Sequence, residues 1–283
     1  MRSFKKYYKP ILICLGAVNC GTYLYYNPHF ADKRKVFTSW TTNYVPPNSS
    51  KWDDNWDHRS PNSLIHPKKI LNDTNNDKVV EKLNTLRSTA TRHIILIRHG
   101  QYEIDGGTDE ERKLTKLGCN QAKQTGKRLQ QLGFPYTEMI KSTMKRAQET
   151  GTIISDFLPK VPVRECNFIR EGAPVPPEPP VGHWKPEVYQ FYQDGARIEA
   201  AFRQYFHRAD PKQEHDSFTL LVCHANVIRY FVCRALQFPP EGWLRLSLNH
   251  ASITWISIAP NGRVKLMALG DSGHMPPEML TVS

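Results

Sequence analysis

Of the 283 residues only six are cysteines, at positions 14, 20, 119, 166, 223 and 233. None forms a Cys-x-x-Cys pair and they do not make the dense framework of a disulfide scaffold, so they read as free, mostly buried thiols. The chain also lacks any grouping of His, Cys, Asp and Glu at metal-ligand spacing, so no metal and no cofactor is expected. No basic patch interleaved with stacking aromatics appears after residue 90, which excludes a nucleic-acid surface there. Acid is scarce at the start: residues 1–35 hold seven Lys and Arg against one Asp, so more than half of the net charge of +11 sits there. An apolar run of 18 or more residues is missing too. Pro10 to Tyr26 is nearly uncharged but includes Asn19 and Thr22, with basic residues on both sides. It is short for a spanning helix, which needs about 20 apolar residues with a lower limit near 17, and its tyrosines suit a membrane interface. A single-pass anchor over residues 1–30 is the expectation, with a cleaved signal as the alternative.

Residues 31–90 are poor in aliphatics and rich in Asn, Asp, Lys, Ser and Pro, the composition of a linker. Against it stands Trp52-Asp53-Asp54-Asn55-Trp56-Asp57-His58-Arg59. Two tryptophans in a polar stretch carry large apolar area that must dock somewhere. The expected dock is a neighbouring subunit, with Trp52, Asp53, Asn55, Trp56 and Asp57 driving oligomerisation; the alternative is the chain's own catalytic domain. A short connecting helix is expected within 77–88 through Val79, Val80, Leu83 and Leu86.

From residue 91 to 283 strands alternate with helices, the pattern of an α/β layer architecture. A strand over 93–98 precedes a helix with Thr115 as N-cap and Gly133 near its end. Residues 187–208 form another helix, 218–223 another strand, and 253–258 and 264–269 a hairpin turned at Pro260-Asn261-Gly262.

Four segments of this region carry chemistry. Ile94-Ile95-Leu96-Ile97 delivers Arg98 and His99 at a strand exit, a histidine placed to attack phosphorus beside a guanidinium suited to phosphoryl oxygens. Ser142 or Thr143 is expected to cap a helix whose first turn holds Arg146, where backbone N–H groups favour an anion. Arg170-Glu171-Gly172 puts a carboxylate ahead of a proline-rich loop. Leu220-Leu221-Val222-Cys223 ends in His224 and repeats the geometry of the first segment; Cys223 reads as a small hydrophobe rather than a nucleophile.

In this order and spacing the segments resemble the histidine phosphatase superfamily, phosphoglycerate mutase branch. Within that branch the chain is similar to the membrane-anchored mitochondrial serine/threonine protein phosphatases. The similarity runs from about Thr91 to the C-terminus and includes Arg170-Glu171-Gly172-Ala173-Pro174, His183-Trp184-Lys185-Pro186-Glu187, the segments 194–203 and 238–249, and the Trp-Asp motif at 52–57. The resemblance implies a three-layer α/β/α sandwich with a mixed, mostly parallel sheet, His99 and His224 lying at the C-terminal edges of adjacent strands. It implies His99 as nucleophile, Arg98, Arg146 and His224 on the phosphoryl oxygens, and Glu171 as general acid and then base. It further implies a homo-oligomer in a mitochondrial membrane, the outer favoured, acting on phosphoproteins in stress and cell-death kinase signalling, with a stress-activated MAP kinase kinase kinase as a partner. Two alternatives stand. A metabolic phosphoglycerate mutase uses the same histidines, but its Arg-His-Gly continues Glu-Ser where this chain has Gln101-Tyr102. The other is a mitochondrial scaffold that only recognises phosphorylated partners.

Overall fold

In a computed structural model, residues 51–64, 76–182 and 186–282 are described. The Pro10–Tyr26 segment, Cys14 and Cys20 lie outside them, and among the described residues no helix is long and apolar enough to cross a membrane. Residues from Trp52 onward form one compact unit.

After a helical turn at Pro61–Leu64 and a helix at Asn76–Thr85 (α1), the chain builds a six-stranded sheet. Its elements are β1 (Arg92–Arg98), α2 (Lys116–Leu132), β2 (Tyr136–Ser142), α3 (Lys145–Ser155), β3 (Val163–Cys166), α4 (Val188–Tyr205), β4 (Ser217–Cys223), α5 (Ala225–Ala235), β5 (Ile253–Ile258) and β6 (Val264–Asp271). The strand order is β3-β2-β4-β1-β5-β6. The first four run parallel, while β5 and β6 are antiparallel to their neighbours.

The unbroken apolar run of β1 follows from cover on both faces, as expected of a parallel sheet. Side chains alternate across a strand. Ile94 and Leu96 therefore join Ile198, Phe202 and Phe231 of α4 and α5 in one core, and Ile95 and Ile97 join Leu129, Ala147 and Ile154 of α2 and α3 in the other. Helix α2 begins as the sequence predicts, Thr115 Oγ1 accepting from Gly118 N, and ends on Gly133 in the left-handed region at φ 61°. The β5–β6 hairpin turns at Gly262, φ 85°.

The N-cap of α3 departs from expectation. Neither Ser142 nor Thr143 caps it: Met144 holds that position with no side-chain capping bond. Both hydroxyls are committed elsewhere, Ser142 Oγ to His224 at 2.8 Å and Thr143 Oγ1 to Asn167 at 2.6 Å. Asp109 Oδ2 accepts from Lys145 N at 3.2 Å instead. Helix α4 stops at Tyr205, short of the expected 208, and Arg208 is drawn into another contact.

That contact belongs to the Trp-Asp motif. Trp56 Nε1 donates to Gly262 O at 2.8 Å, and its ring lies 6.1 Å from that of Phe202. Asp57 receives Arg208 Nε, NH2 and backbone N at 2.8–3.2 Å, with both side chains almost wholly buried. Asp53 and Gln237 exchange two hydrogen bonds, while Asn55 Oδ1 accepts from Ser60 N and Ser63 Oγ. Within one chain, then, Trp56 and Asp57 sit on the chain's own domain. Trp52 stays partly exposed over a cavity of 440 Å³ lined with Asp54, Asn261, Arg263 and Val264.

Burial pushes the Asp57 carboxyl up, but the Arg208 hydrogen bonds outweigh it and hold the pKa below 3.8. Asp57→Ala leaves Arg208 buried and unpaired, so a loss of about 3–5 kcal/mol is expected in denaturant titration at neutral pH. Because the folded-state pKa is depressed, the stabilisation is complete above pH of about 4 and fades as pH falls through the lower folded value. The gap between wild type and variant should narrow there. A gap that is constant with pH would contradict the charged pairing.

Candidate active site

Parallel pairing of β1 with β4 puts Arg98 opposite Cys223, so the next residues, His99 and His224, leave the sheet side by side. His99 N donates to Cys223 O at 3.0 Å, and the imidazole centroids are 5.1 Å apart. This is the C-terminal edge of the parallel strands, where open α/β sheets bind ligands. Here the loop passes close to helix α2: a Cβ on Gly100 would lie 2.5 Å from Gly118 O, and one on Gly118 1.9 Å from Gln101 O. Only glycine at both positions allows that approach, which fixes the backbone carrying His99.

Arg98, His99, Arg146 and His224 are 2 %, 2 %, 4 % and 0 % exposed. Such burial makes every hydrogen bond consequential. His99 Nδ1 bonds Gly100 O at 2.8 Å; a carbonyl only accepts, so Nδ1 carries the proton and Nε2 the lone pair. Arg146 Nε donates to Nε2 at 3.2 Å. Burial, then His224, Arg146 and Arg98, hold the His99 pKa well below 6.5, which keeps the ring neutral and nucleophilic. The His224 pKa is also well below 6.5, through burial and then Arg146, Arg170 and Arg197. His224 Nε2 meets Ser142 Oγ, while its Nδ1 and Arg146 NH1 are buried without a hydrogen bond. A phosphoryl oxygen fits such nitrogens. Asp109 stands 3.6 Å from Arg146 NH1.

Glu171 lies among cations. Burial raises its pKa above 4.5 even though Arg146, Gly172 N–H, Arg98 and Arg229 pull it down. Helix α4 holds its loop: Arg197 donates to the carbonyls of Phe168, Arg170 and Glu171 at 2.7–3.0 Å, and Asp194 Oδ2 accepts from Ala173 N. Asn226 donates to Gly172 O at 3.1 Å. All five sequence-predicted side chains thus gather at one sheet edge. Cys223 is buried in the core, which pushes its thiol up and suits a packing role. Cys119, Cys166, Cys223 and Cys233 are all free. Among the described residues no three His, Cys, Asp or Glu side chains gather to hold a metal ion.

Sequence reasoning missed several neighbours. The Tyr102 ring stands edge-on to His99 at 5.1 Å and lies under Arg146 at 4.7 Å. His250 lies 5.6 Å from His99 and accepts from Arg98 NH2 at 3.1 Å. Its signal was position: β5 is antiparallel to β1, so residues just before Ile253 return to the edge where His99 emerges.

The profile for the histidine phosphatase superfamily, branch 1, matches residues 94–173 and 178–271. The human serine/threonine-protein phosphatase PGAM5, mitochondrial, is 56% identical over 237 residues, 84% of this chain and 82% of that protein. Its namesake from Drosophila pseudoobscura pseudoobscura is 56% identical over 252 residues, 88% of this chain and 87% of its own. Among solved structures, the product of an open reading frame of Mycobacterium tuberculosis shares the fold, with a TM-score of 0.50, 22% identity, and 65% of this chain and 99% of its own covered. The chain belongs to branch 1 of the histidine phosphatase superfamily.

Proposed function

We propose that the protein is a mitochondrial serine/threonine protein phosphatase that works through a phosphohistidine at residue 99. The observation that carries the mechanism is the Nδ1–H bond to Gly100 O, which leaves Nε2 unprotonated and facing the Arg146 guanidinium, with the His224 imidazole beside the ring. The substrate class and compartment rest on relatives named as mitochondrial serine/threonine-protein phosphatases.

Monoester hydrolysis needs acceleration approaching about 10²¹-fold, and a covalent intermediate divides that barrier. His99 Nε2 attacks phosphorus as the bond to the serine or threonine oxygen breaks. Glu171, whose burial raises its pKa and so favours the protonated form, gives its proton to that oxygen. Arg98, Arg146 and His224 take the charge spread over the phosphoryl oxygens. Water then attacks phosphorus, the P–N bond breaks, Glu171 takes the proton, and phosphate leaves with the ring neutral again.

The two guanidiniums and the neutral His224 take the charge that a divalent ion takes in other phosphatases, so the rate should be unchanged by EDTA. The assay uses the full-length chain and phosphothreonine peptides, with phosphoglycerate interconversion measured beside them. Hydrolysis that resists chelation, with no interconversion, supports the reading. Loss in EDTA restored by a divalent ion, or interconversion exceeding hydrolysis, contradicts it.

Anchoring through the basic-flanked segment at 10–26 and self-association through the Trp-Asp motif belong to the same reading. Support for self-association is the partly exposed Trp52 ring beside the cavity at Asn261 and Arg263. A MAP kinase kinase kinase of the stress-activated class remains the proposed substrate among phosphoproteins, and the outer mitochondrial membrane the proposed site.

A further inference from the structure

Residues 279–281 return to the active site. His250 N donates to Thr281 O at 3.0 Å, and His250 Nδ1 meets Thr281 Oγ1 at 2.9 Å. On the other side of the ring, Nε2 meets Arg98 NH2 at 3.1 Å. A guanidinium can only donate, so Nε2 holds the lone pair and Nδ1 donates to the threonine hydroxyl. The ring is 3 % exposed, and burial, then Arg98, lower its pKa to about 3, so it stays a neutral acceptor. A second path leaves the same threonine. Gln121 Nε2 donates to Thr281 Oγ1 at 2.8 Å and to Met279 O at 2.6 Å, while its Oε1 accepts from Gln101 N at 2.8 Å. Gln121 is fully buried. One hydroxyl is therefore tied through His250 to a guanidinium beside the nucleophile, and through Gln121 to the backbone two residues after it.

We infer that His250 and Thr281 are positioning residues: the C-terminal segment of residues 279–281 holds Arg98 and the His99–Gln101 loop in the geometry that receives a phosphoryl group. The inference rests on the proposed site but concerns how that site is held. A guanidinium with its NH2 fixed by His250 and NH1 fixed by Leu248 O at 2.5 Å has little rotational freedom left, and preorganised charge is what such a site needs. Loosening it should weaken binding of a tetrahedral anion more than it slows the covalent steps.

The test uses the full-length chain and two amides at position 250. In His250→Gln the carbonyl oxygen falls near the place of Nε2 and can accept from Arg98. In His250→Asn the shorter amide can serve Thr281 but leaves Arg98 without that acceptor. Thr281→Ser keeps both side-chain bonds of residue 281, and Thr281→Val removes them at equal size. The probes are KM and kcat for p-nitrophenyl phosphate and the inhibition constant of orthovanadate, with far-ultraviolet circular dichroism to verify folding. Loss of one hydrogen bond to a charged group corresponds to about a tenfold change. His250→Asn and Thr281→Val are expected to raise KM and the vanadate constant about tenfold with kcat changed less, while His250→Gln and Thr281→Ser stay near wild type. Equal behaviour of Gln and Asn at 250, or unchanged constants in folded Asn and Val variants, would overturn it. Failure of the proposed function shows separately, as a wild-type protein that neither turns over nor binds vanadate.

Discussion

Replacement of His99 by alanine is expected to lower hydrolysis by a factor on the order of 10⁴ to 10⁶, the scale seen when a catalytic nucleophile is removed. The nitrogen that attacks is the one with the lone pair, and the bond from Nδ1 to Gly100 O at 2.8 Å decides which nitrogen that is. The proposed mechanism gives the other groups described at this edge different work, His224 Nδ1 being the nitrogen left for a phosphoryl oxygen. His224 Nε2 is engaged with Ser142, His250 Nε2 with Arg98, and the Cys223 thiol is raised by burial. Steady-state assays on phosphothreonine peptides, with circular dichroism to show the variant folded, measure the loss. The low His99 pKa also places the acid limb of the wild-type pH profile below 6.5, because the ring remains a nucleophile until it is protonated. A variant retaining more than a few per cent of the rate would remove His99 from the mechanism.

Glu171→Gln carries the second large effect, and its signature depends on the leaving group. A threonine alkoxide needs a proton as the P–O bond breaks, so the loss should be about 10²- to 10⁴-fold on phosphothreonine peptides. Nitrophenolate leaves without help, so phosphoenzyme should still form from p-nitrophenyl phosphate. The second step then lacks its base, and one equivalent of nitrophenol should appear as a burst before slow turnover. The pH dependence has a definite sign. A pKa raised above 4.5 keeps the carboxyl protonated to higher pH, and wild-type activity on peptides falls as pH climbs through that raised value. The glutamine variant lacks that alkaline decline. Equal losses on both substrates with no burst would show that Glu171 moves no proton.

Much of this site was legible in the sequence because its residues sit where a regular pattern ends. Apolar runs of β1 and β4 mark buried strands, so Arg98, His99 and His224 at their exits had to reach one edge once the strands paired in parallel. Thr115 and Gly133 marked the ends of α2 in the same local way. What was hidden depends on contacts between residues far apart in the chain. Ser142 looks like a helix cap because Ser, Thr and a helix follow one another, but His224, 82 residues on, takes its hydroxyl. No local motif marks His250; only its position before antiparallel β5, and its contact with Thr281, bring it to the site. Trp56 and Asp57 stand in a linker-like stretch, and their docking surface is assembled from Phe202, Arg208 and Gly262. Local composition carries no record of such a surface.

The most direct measurement of the central claim is to mix the full-length protein with a ³²P-labelled phosphothreonine protein, quench within milliseconds in alkali, and locate the label by mass spectrometry of the digest. Alkali preserves a phosphoramidate. The account predicts an acid-labile label on the peptide containing His99, with none trapped in the His99→Ala protein. Label on His224, on His250 or on an acid-stable serine or threonine, or rapid turnover with no covalent label at all, would contradict it.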